Sequence, residues 1–410
     1  MDKHAQKLSR YADVAVRVGV NLQPGQRLLV RADINAAPLV REIVRSAYQA
    51  GAPYVHMMWD DEQTELGRFR YAPRDSFTEF PDWEVDTLIV LVDSGTALLS
   101  VASADPELLK GQDEDLISTV QETAARKTMN FTDRITRGAT NWAVVAAPSP
   151  AWAAKVFPNV APAEREQRLW DTIFATCRID QAEPVAAWQA HVADLATHSA
   201  YLNAKRYSAL HYRAPGTDLE IGLADGHLWI SGSMDSQRGV TFVANLPTEE
   251  VFTMPHAQRV NGTVRASKPL NLGGTLIEDF SLTFSEGRVT NMSARQGEAV
   301  LQRLISTDEG AARLGEVALV PENSPIARSG LLFYNTLFDE NAASHIALGM
   351  SYRFTMNGGT TMENEAYAAA GGNTSTTHVD FMIGSSAMDI DGVAADGTRE
   401  PVMRKGDWAF

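Results

Sequence analysis

Apolar and polar positions repeat along this chain with two different periods, and the change of period divides it. Residues 5–20 carry apolar side chains at helical spacing and stop near Gly19. Pro24-Gly25 marks a turn, and Arg27–Arg31 encloses a short aliphatic run that predicts a buried strand. Residues 37–50 predict a helix closed by Gly51, and Tyr54–Met58 predicts a second strand. Strand, helix and strand in that order form a βαβ unit, whose natural product is a parallel sheet. The aliphatic run Asp86–Val92, bounded by Asp93-Ser94-Gly95, is expected as a third strand. Residues 118–127 are expected as a helix, and Trp142–Ala147, closed by Pro148 and Pro150, as a fourth strand.

Residues 164–206 are mostly helical and polar, with a break near Pro184. Beyond them the period shortens to two. Leu210–Arg213, Asp218–Gly222, His227–Ser231, Gly262–Arg265, Asp279–Phe284 and Arg288–Asn291 alternate as short strands, separated by turns rich in Gly, Asp and Asn. A helix is expected over 297–306. The 410 residues exceed one ordinary domain. The expected architecture is an α/β N-terminal domain with a mainly parallel sheet, residues 1–180, and an α+β C-terminal domain, residues 181–410, which holds the candidate catalytic chemistry.

Composition narrows the function. The net charge of −15 argues against nucleic acid or an anionic membrane as main partner, because both select basic patches. A single cysteine, Cys177, excludes an intrachain disulfide and a thiolate-rich zinc knuckle, and fits a reducing cytoplasm. The first residues lack the apolar stretch of a signal peptide, and the aliphatic run Leu88–Val92 is too short to cross a bilayer. No G-x-G-x-x-G, Walker A loop or nucleophile elbow occurs, and the turn Ala32-Asp33-Ile34-Asn35 after the first strand has no glycine to cradle a phosphate. The terminal Trp408 and Phe410 are expected to pack within their own domain.

The chemistry-bearing residues gather in the last third. His378 and Asp380 lie two apart in the strand-like run Thr377–Gly384, so both side chains project from one face. Two polar groups on a buried face call for a mutual hydrogen bond or a metal ion. Glu316 stands alone in the apolar run Leu314–Val320, and acids are rarely buried unpaired. Glu340 and His345 lie in Phe338–Gly349, Tyr352 follows seven residues later, and Glu250 follows the Pro247 turn beside Glu249. Carboxylates and imidazoles without thiolates suit zinc, cobalt or manganese, and a pair of ions needs about five or six such ligands. Each residue also has a plainer explanation. His-x-Asp is more often a hydrogen-bonded pair, His345 a core histidine, Glu249-Glu250 a solvated turn, and Tyr352 a rim aromatic.

The segments Asn245–Thr253, Leu314–Val320, Phe338–Gly349 and His378–Gly384 together resemble, in order and spacing, the signature blocks of the aminopeptidase T/aminopeptidase S metallopeptidase family. The resemblance spans essentially the whole chain and is densest over 240–385. It implies a dinuclear metallo-aminopeptidase holding two divalent metal ions, with an N-terminal α/β domain, a C-terminal catalytic domain and a homodimeric assembly. It implies Glu250, Glu316, Glu340, His345, His378 and Asp380 as metal ligands, with Glu250, Glu316 and Tyr352 in catalysis. The implied substrates are short peptides with a free N-terminus, attacked by a metal-activated water. Two competing functions are another amide or ester hydrolysed at the same centre, and a non-catalytic metal-binding protein. Phosphoesters are disfavoured because Arg353 is the nearest basic residue to the ligands. A closed structural zinc site is disfavoured because the set is carboxylate-rich.

Overall fold

The structure, a computed structural model, describes residues 2–272 and 274–410. It comprises two compact units. One extends to Val192 and takes in Ser233–Pro247; the other comprises Ala193–Gly232 and Thr248–Phe410. The chain leaves the first unit inside the helix Pro184–Lys205.

The first unit is built on a four-stranded parallel sheet. Its spatial order is Val55–Asp60, Leu28–Asp33, Ala97–Ala102 and Trp142–Ala146. Leu28, Leu29 and Val30 are all buried, the pattern of a parallel strand covered on both faces. The helix Ala37–Gln49 turns Leu39, Val40, Ile43 and Ala47 inward at helical spacing.

One expected strand is a helix. Asp86–Val92 belongs to the helix Asp82–Asp93, and the third strand is Ala97–Ala102, just beyond the Ser94-Gly95 turn. A strand would put Leu88, Val90 and Val92 on one face. Instead Leu88 and Val92 are buried with Val85, whereas Val90 is 66% exposed, which is the 3.6-residue period. Asp82 and Glu84 in the first turn favour helix initiation there. The helix expected over 118–127 is longer, Glu114–Thr136, and starts where the Asp113 carboxylate accepts hydrogen bonds from the backbone N–H groups of Asp115 and Leu116.

The second unit is α+β and antiparallel. A nine-stranded sheet includes Ala209–Ala214, Thr217–Leu223, Pro255–Arg265, Thr275–Ser285 and Arg288–Gln296. A second sheet of five strands has the order His378–Met382, His345–Gly349, Leu314–Leu319, Val251–Thr253 and Ile230–Ser231. Alternation gives this smaller sheet two unlike faces. Val251, Val317, Leu319, Ile346, Leu348 and Phe381 enter the unit's main apolar core with Leu210, Leu219, Val260, Phe280 and Ile390. The intervening side chains point the other way, and they include Glu316, His345, His378 and Asp380.

The chain's last aromatics pack inside this unit. Trp408 stacks on His198 at 4.5 Å and Phe410 on Tyr201 at 3.7 Å. Among the described residues no helix is long and apolar enough to cross a membrane.

Candidate metal centre

Strand register brings distant residues abreast. Asp380 pairs with Ala347, and Ala347 pairs with Glu316, so the two acids flank an alanine across three strands. His378 lies opposite Gly349, and His345 opposite Ala318. The residues between the candidate ligands on this face are therefore Ala318, Ala347 and Gly349, which leave their space to the larger side chains. Gly349 is required for a second reason. Its φ is 109°, and a Cβ there would stand 2.1 Å from the carbonyl oxygen of Thr377. Glu250 comes from the residue just before Val251–Thr253, the next strand of the sheet.

The side chains form two triads with one member in common: Glu250, Glu316 and His345 in one, Glu316, His378 and Asp380 in the other. Within each, potential ligand atoms lie within 4.8 Å of one another. Glu316 Oε1 is 3.6 Å from His345 Nε2, and its Oε2 is 3.6 Å from His378 Nε2. The two oxygens of one carboxylate thus address two different histidines. Glu250 Oε2 lies 3.2 Å from His345 Nε2, and Asp380 Oδ1 lies 3.4 Å from His378 Nε2. Neither of those two oxygens receives a hydrogen bond, although both are buried.

Each imidazole is fixed from behind. Nδ1 of His345 is 3.1 Å from the carbonyl oxygen of Ala343, and Nδ1 of His378 is 2.7 Å from that of Met350. A carbonyl only accepts, so each Nδ1 carries the proton and donates, and each Nε2 is left to face the carboxylates.

Protonation reflects acids crowded away from water. Burial, aided by the charges of Asp380 and Glu250, raises Glu316 from 4.5 to about 7 against the pull of the histidines. Burial and the neighbouring charges of Glu250, Asp380 and Glu316 push Glu340 well above the usual carboxylate range. Burial alone would lower His378, but Asp380 and Glu316 outweigh it and raise it to about 10. His345 goes up for the same reason, with Glu250 and Glu316 overcoming desolvation. For Asp380 burial opposes ionisation, yet the adjacent His378 and then His345 hold it below its ordinary value. Unpartnered oxygens, clustered acids and outward-facing Nε2 atoms suit a divalent cation by the chemistry of the donor set.

Glu340 lies outside both triads but close enough to feel the charges of Glu250, Asp380, His345 and Glu316. Its neighbour Asp339 has a different task. That carboxylate accepts hydrogen bonds from the N–H groups of Phe333 and Asn335 and closes their loop. The Tyr352 ring lies 4.7 Å from that of His378 and stacks on Phe354 at 5.2 Å. Burial and then the charges of Glu316, Asp380, Glu340 and Glu250 raise the phenol well above its ordinary value, so its hydroxyl keeps its proton and can donate. Arg353 donates to the carbonyl oxygens of Gly359 and Met362 and lies 4.4 Å over the Tyr367 ring, so it serves the local loop.

All seven sequence-derived residues thus lie at one face of one sheet or beside it. Glu249 and Glu250 are both buried, not a solvated turn. Sequence inspection missed Asn341, whose Oδ1 accepts from the Glu249 N–H while its amide donates to the Leu337 carbonyl. It ties the Glu250 segment to the Glu340 loop. Only its place beside Glu340 could have hinted at this.

Residues 4–408 match the model of the thermophilic metalloprotease family M29. This chain belongs to the M29 metalloprotease family. It is an enzyme, a metal-dependent hydrolase acting on peptide bonds. Similar M29 relatives include "Aminopeptidase 2" of Geobacillus stearothermophilus, 48% identical over 410 residues that cover 100% of this chain and 99% of that protein. "Aminopeptidase T" of Thermus thermophilus is 45% identical over 408 residues, with 100% of each chain covered. The solved structure of wild-type AmpT from Thermus thermophilus superposes with a TM-score of 0.93 at 45% identity, covering 98% of this chain and 99% of that one.

Proposed function

We propose that this M29 enzyme is an aminopeptidase that removes the N-terminal residue from short peptides at a centre of two divalent ions, zinc, cobalt or manganese. The observation that carries the two-ion proposal is Glu316. Its two oxygens each face the Nε2 of a different histidine, and it alone belongs to both triads. That is the disposition of a bridging carboxylate. Glu250 and His345 would hold one ion, His378 and Asp380 the other, and Glu340 is the further carboxylate ligand. The relatives' names support the aminopeptidase assignment.

Bound divalent ions supply Lewis acidity, which makes a water easier to deprotonate near neutral pH and polarises the scissile carbonyl. The chain's own groups do the rest. Glu316, engaged on both oxygens, aligns the two histidines. Glu250 keeps an oxygen without a hydrogen bond and takes the proton of the attacking water. Tyr352 retains its phenolic proton and donates a hydrogen bond to the developing oxyanion. The acidic surroundings favour the cationic α-amine of a free N-terminus, which restricts cleavage to the first residue.

Comparing leucyl peptides with and without an N-acetyl group, before and after prolonged chelation, tests this. The unblocked peptide is cleaved and the acetylated one spared; chelation abolishes cleavage and zinc, cobalt or manganese restores it. Cleavage of the acetylated peptide, or full activity of metal-free protein, would refute the assignment. The family resemblance also suggests a homodimer. Light scattering decides this, and a one-chain mass at micromolar concentration excludes it.

A further inference from the structure

The strand that follows Glu250 carries a large ring on the ligand face. Phe252 pairs with Ala318, and Ala318 pairs with His345. Paired residues share a face, so Phe252 stands on the same side as the ligands, two strand spacings or about 10 Å from His345 along the row. Its ring meets Phe354 edge-on at 6.2 Å. Phe354 stacks on Tyr352 at 5.2 Å, and Tyr352 lies 4.7 Å from His378. An unbroken run of rings therefore extends from His378 through Tyr352 and Phe354 to Phe252.

These rings are not core. Phe252 and Phe354 each retain partial exposure, and neither joins the apolar core that Val251 enters from the opposite face. Aromatic surface kept partly wet beside four carboxylates gains by covering with an apolar group. A peptide whose scissile carbonyl lies at the triads has the Cα of its first residue one bond away. The first side chain then starts from the sheet face that carries Phe252.

We propose that Phe252 and Phe354 form the wall of the pocket for the substrate's first side chain, and that this wall selects large apolar first residues over small ones. The proposal rests on the aminopeptidase assignment and adds the first-residue preference to it. No charged partner is needed for the selected side chain, because discrimination comes from ring surface removed from water.

The test compares kcat/KM for leucyl- and alanyl-p-nitroanilide in the wild type, Phe252→Ala and Phe354→Ala, with metal content measured in each protein. The expected result is a wild-type preference for leucyl that falls by on the order of 10-fold in the variants, chiefly through KM, with metal retained. Should Phe252→Ala lose its metal, Phe252→Leu keeps an apolar side chain without the ring. There the preference for phenylalanyl over leucyl substrate falls by about 3-fold, the scale of a lost aromatic pair. A leucyl-to-alanyl ratio that stays within about 2-fold of wild type in metal-loaded Phe252→Ala and Phe354→Ala overturns the wall alone, as does an unmoved phenylalanyl-to-leucyl ratio in Phe252→Leu. A wild type inactive on every unblocked substrate overturns the aminopeptidase assignment with it.

Discussion

Replacing Glu316 by glutamine keeps the shape of the shared side chain and removes its charge. If both ions lean on this carboxylate, the loss should appear twice. A unit negative charge about 4 Å from a divalent ion, at an effective dielectric near 20, corresponds to about 8 kcal/mol per ion. That sets a ceiling of roughly a millionfold in affinity for each. Glu250→Gln and Asp380→Asn each touch one triad and should each weaken one ion only. Without metal the sign reverses. In the folded chain Glu316 titrates at about 7, against 4.5 for an unperturbed carboxyl. The folded state thus binds this proton more tightly than the unfolded one, so stability falls as pH rises through that interval, and the penalty is complete above about 7. At about 1.4 kcal/mol per pKa unit it comes to about 3 kcal/mol. Glu316→Gln should therefore raise the Tm of metal-free protein at pH 8 by several degrees, given roughly 2–4 °C per kcal/mol for a unit of this size. Elemental analysis after dialysis and calorimetry of metal-free samples measure the two effects. Loss of a single ion, or a lower metal-free Tm at pH 8, would refute a shared, crowded carboxylate.

Two further outcomes follow from the same geometry. In Tyr352→Phe, turnover should fall by a factor on the order of 100 with metal content intact; loss of metal would make the phenol a ligand, and unchanged turnover would make it a bystander. In the metal-free centre His345 and His378 are held protonated by carboxylates, His378 up to about 10, so metal must displace protons. Affinity should then weaken steadily as pH falls from about 10 towards 7, with proton release detectable by calorimetry in buffers of different ionisation enthalpy; metal binding without proton release at pH 8 would contradict this.

The site was more legible in the chain than parts of the scaffold. An acid within Leu314–Leu319 and a His-x-Asp within His378–Met382 conflict with burial, and such conflicts mark chemistry. What sequence could not give is adjacency. Nothing along the chain says that Glu316 and Asp380 share a row through Ala347, since register is a property of paired strands. The Asp86–Val92 run is ambiguous in sequence because a short aliphatic stretch rich in β-branched residues suits a buried strand as well as a helix. The acidic first turn after Pro81 was the available discriminator. Asn341 left no trace, because an asparagine that joins two backbone segments resembles any loop asparagine.

The alternation that sends Ile346 and Leu348 to the core and His345 to the candidate metal centre has a consequence for how this protein can change. A strand reverses its faces on a shift of one residue. Deleting a single residue within His345–Gly349 would bury a histidine in hydrocarbon and present isoleucine and leucine to the face that carries Glu316 and Asp380. Insertions and deletions are therefore tolerable there only in pairs. The fold and the chemistry are written in the same reading frame of the sheet, so in these strands neither can drift without the other.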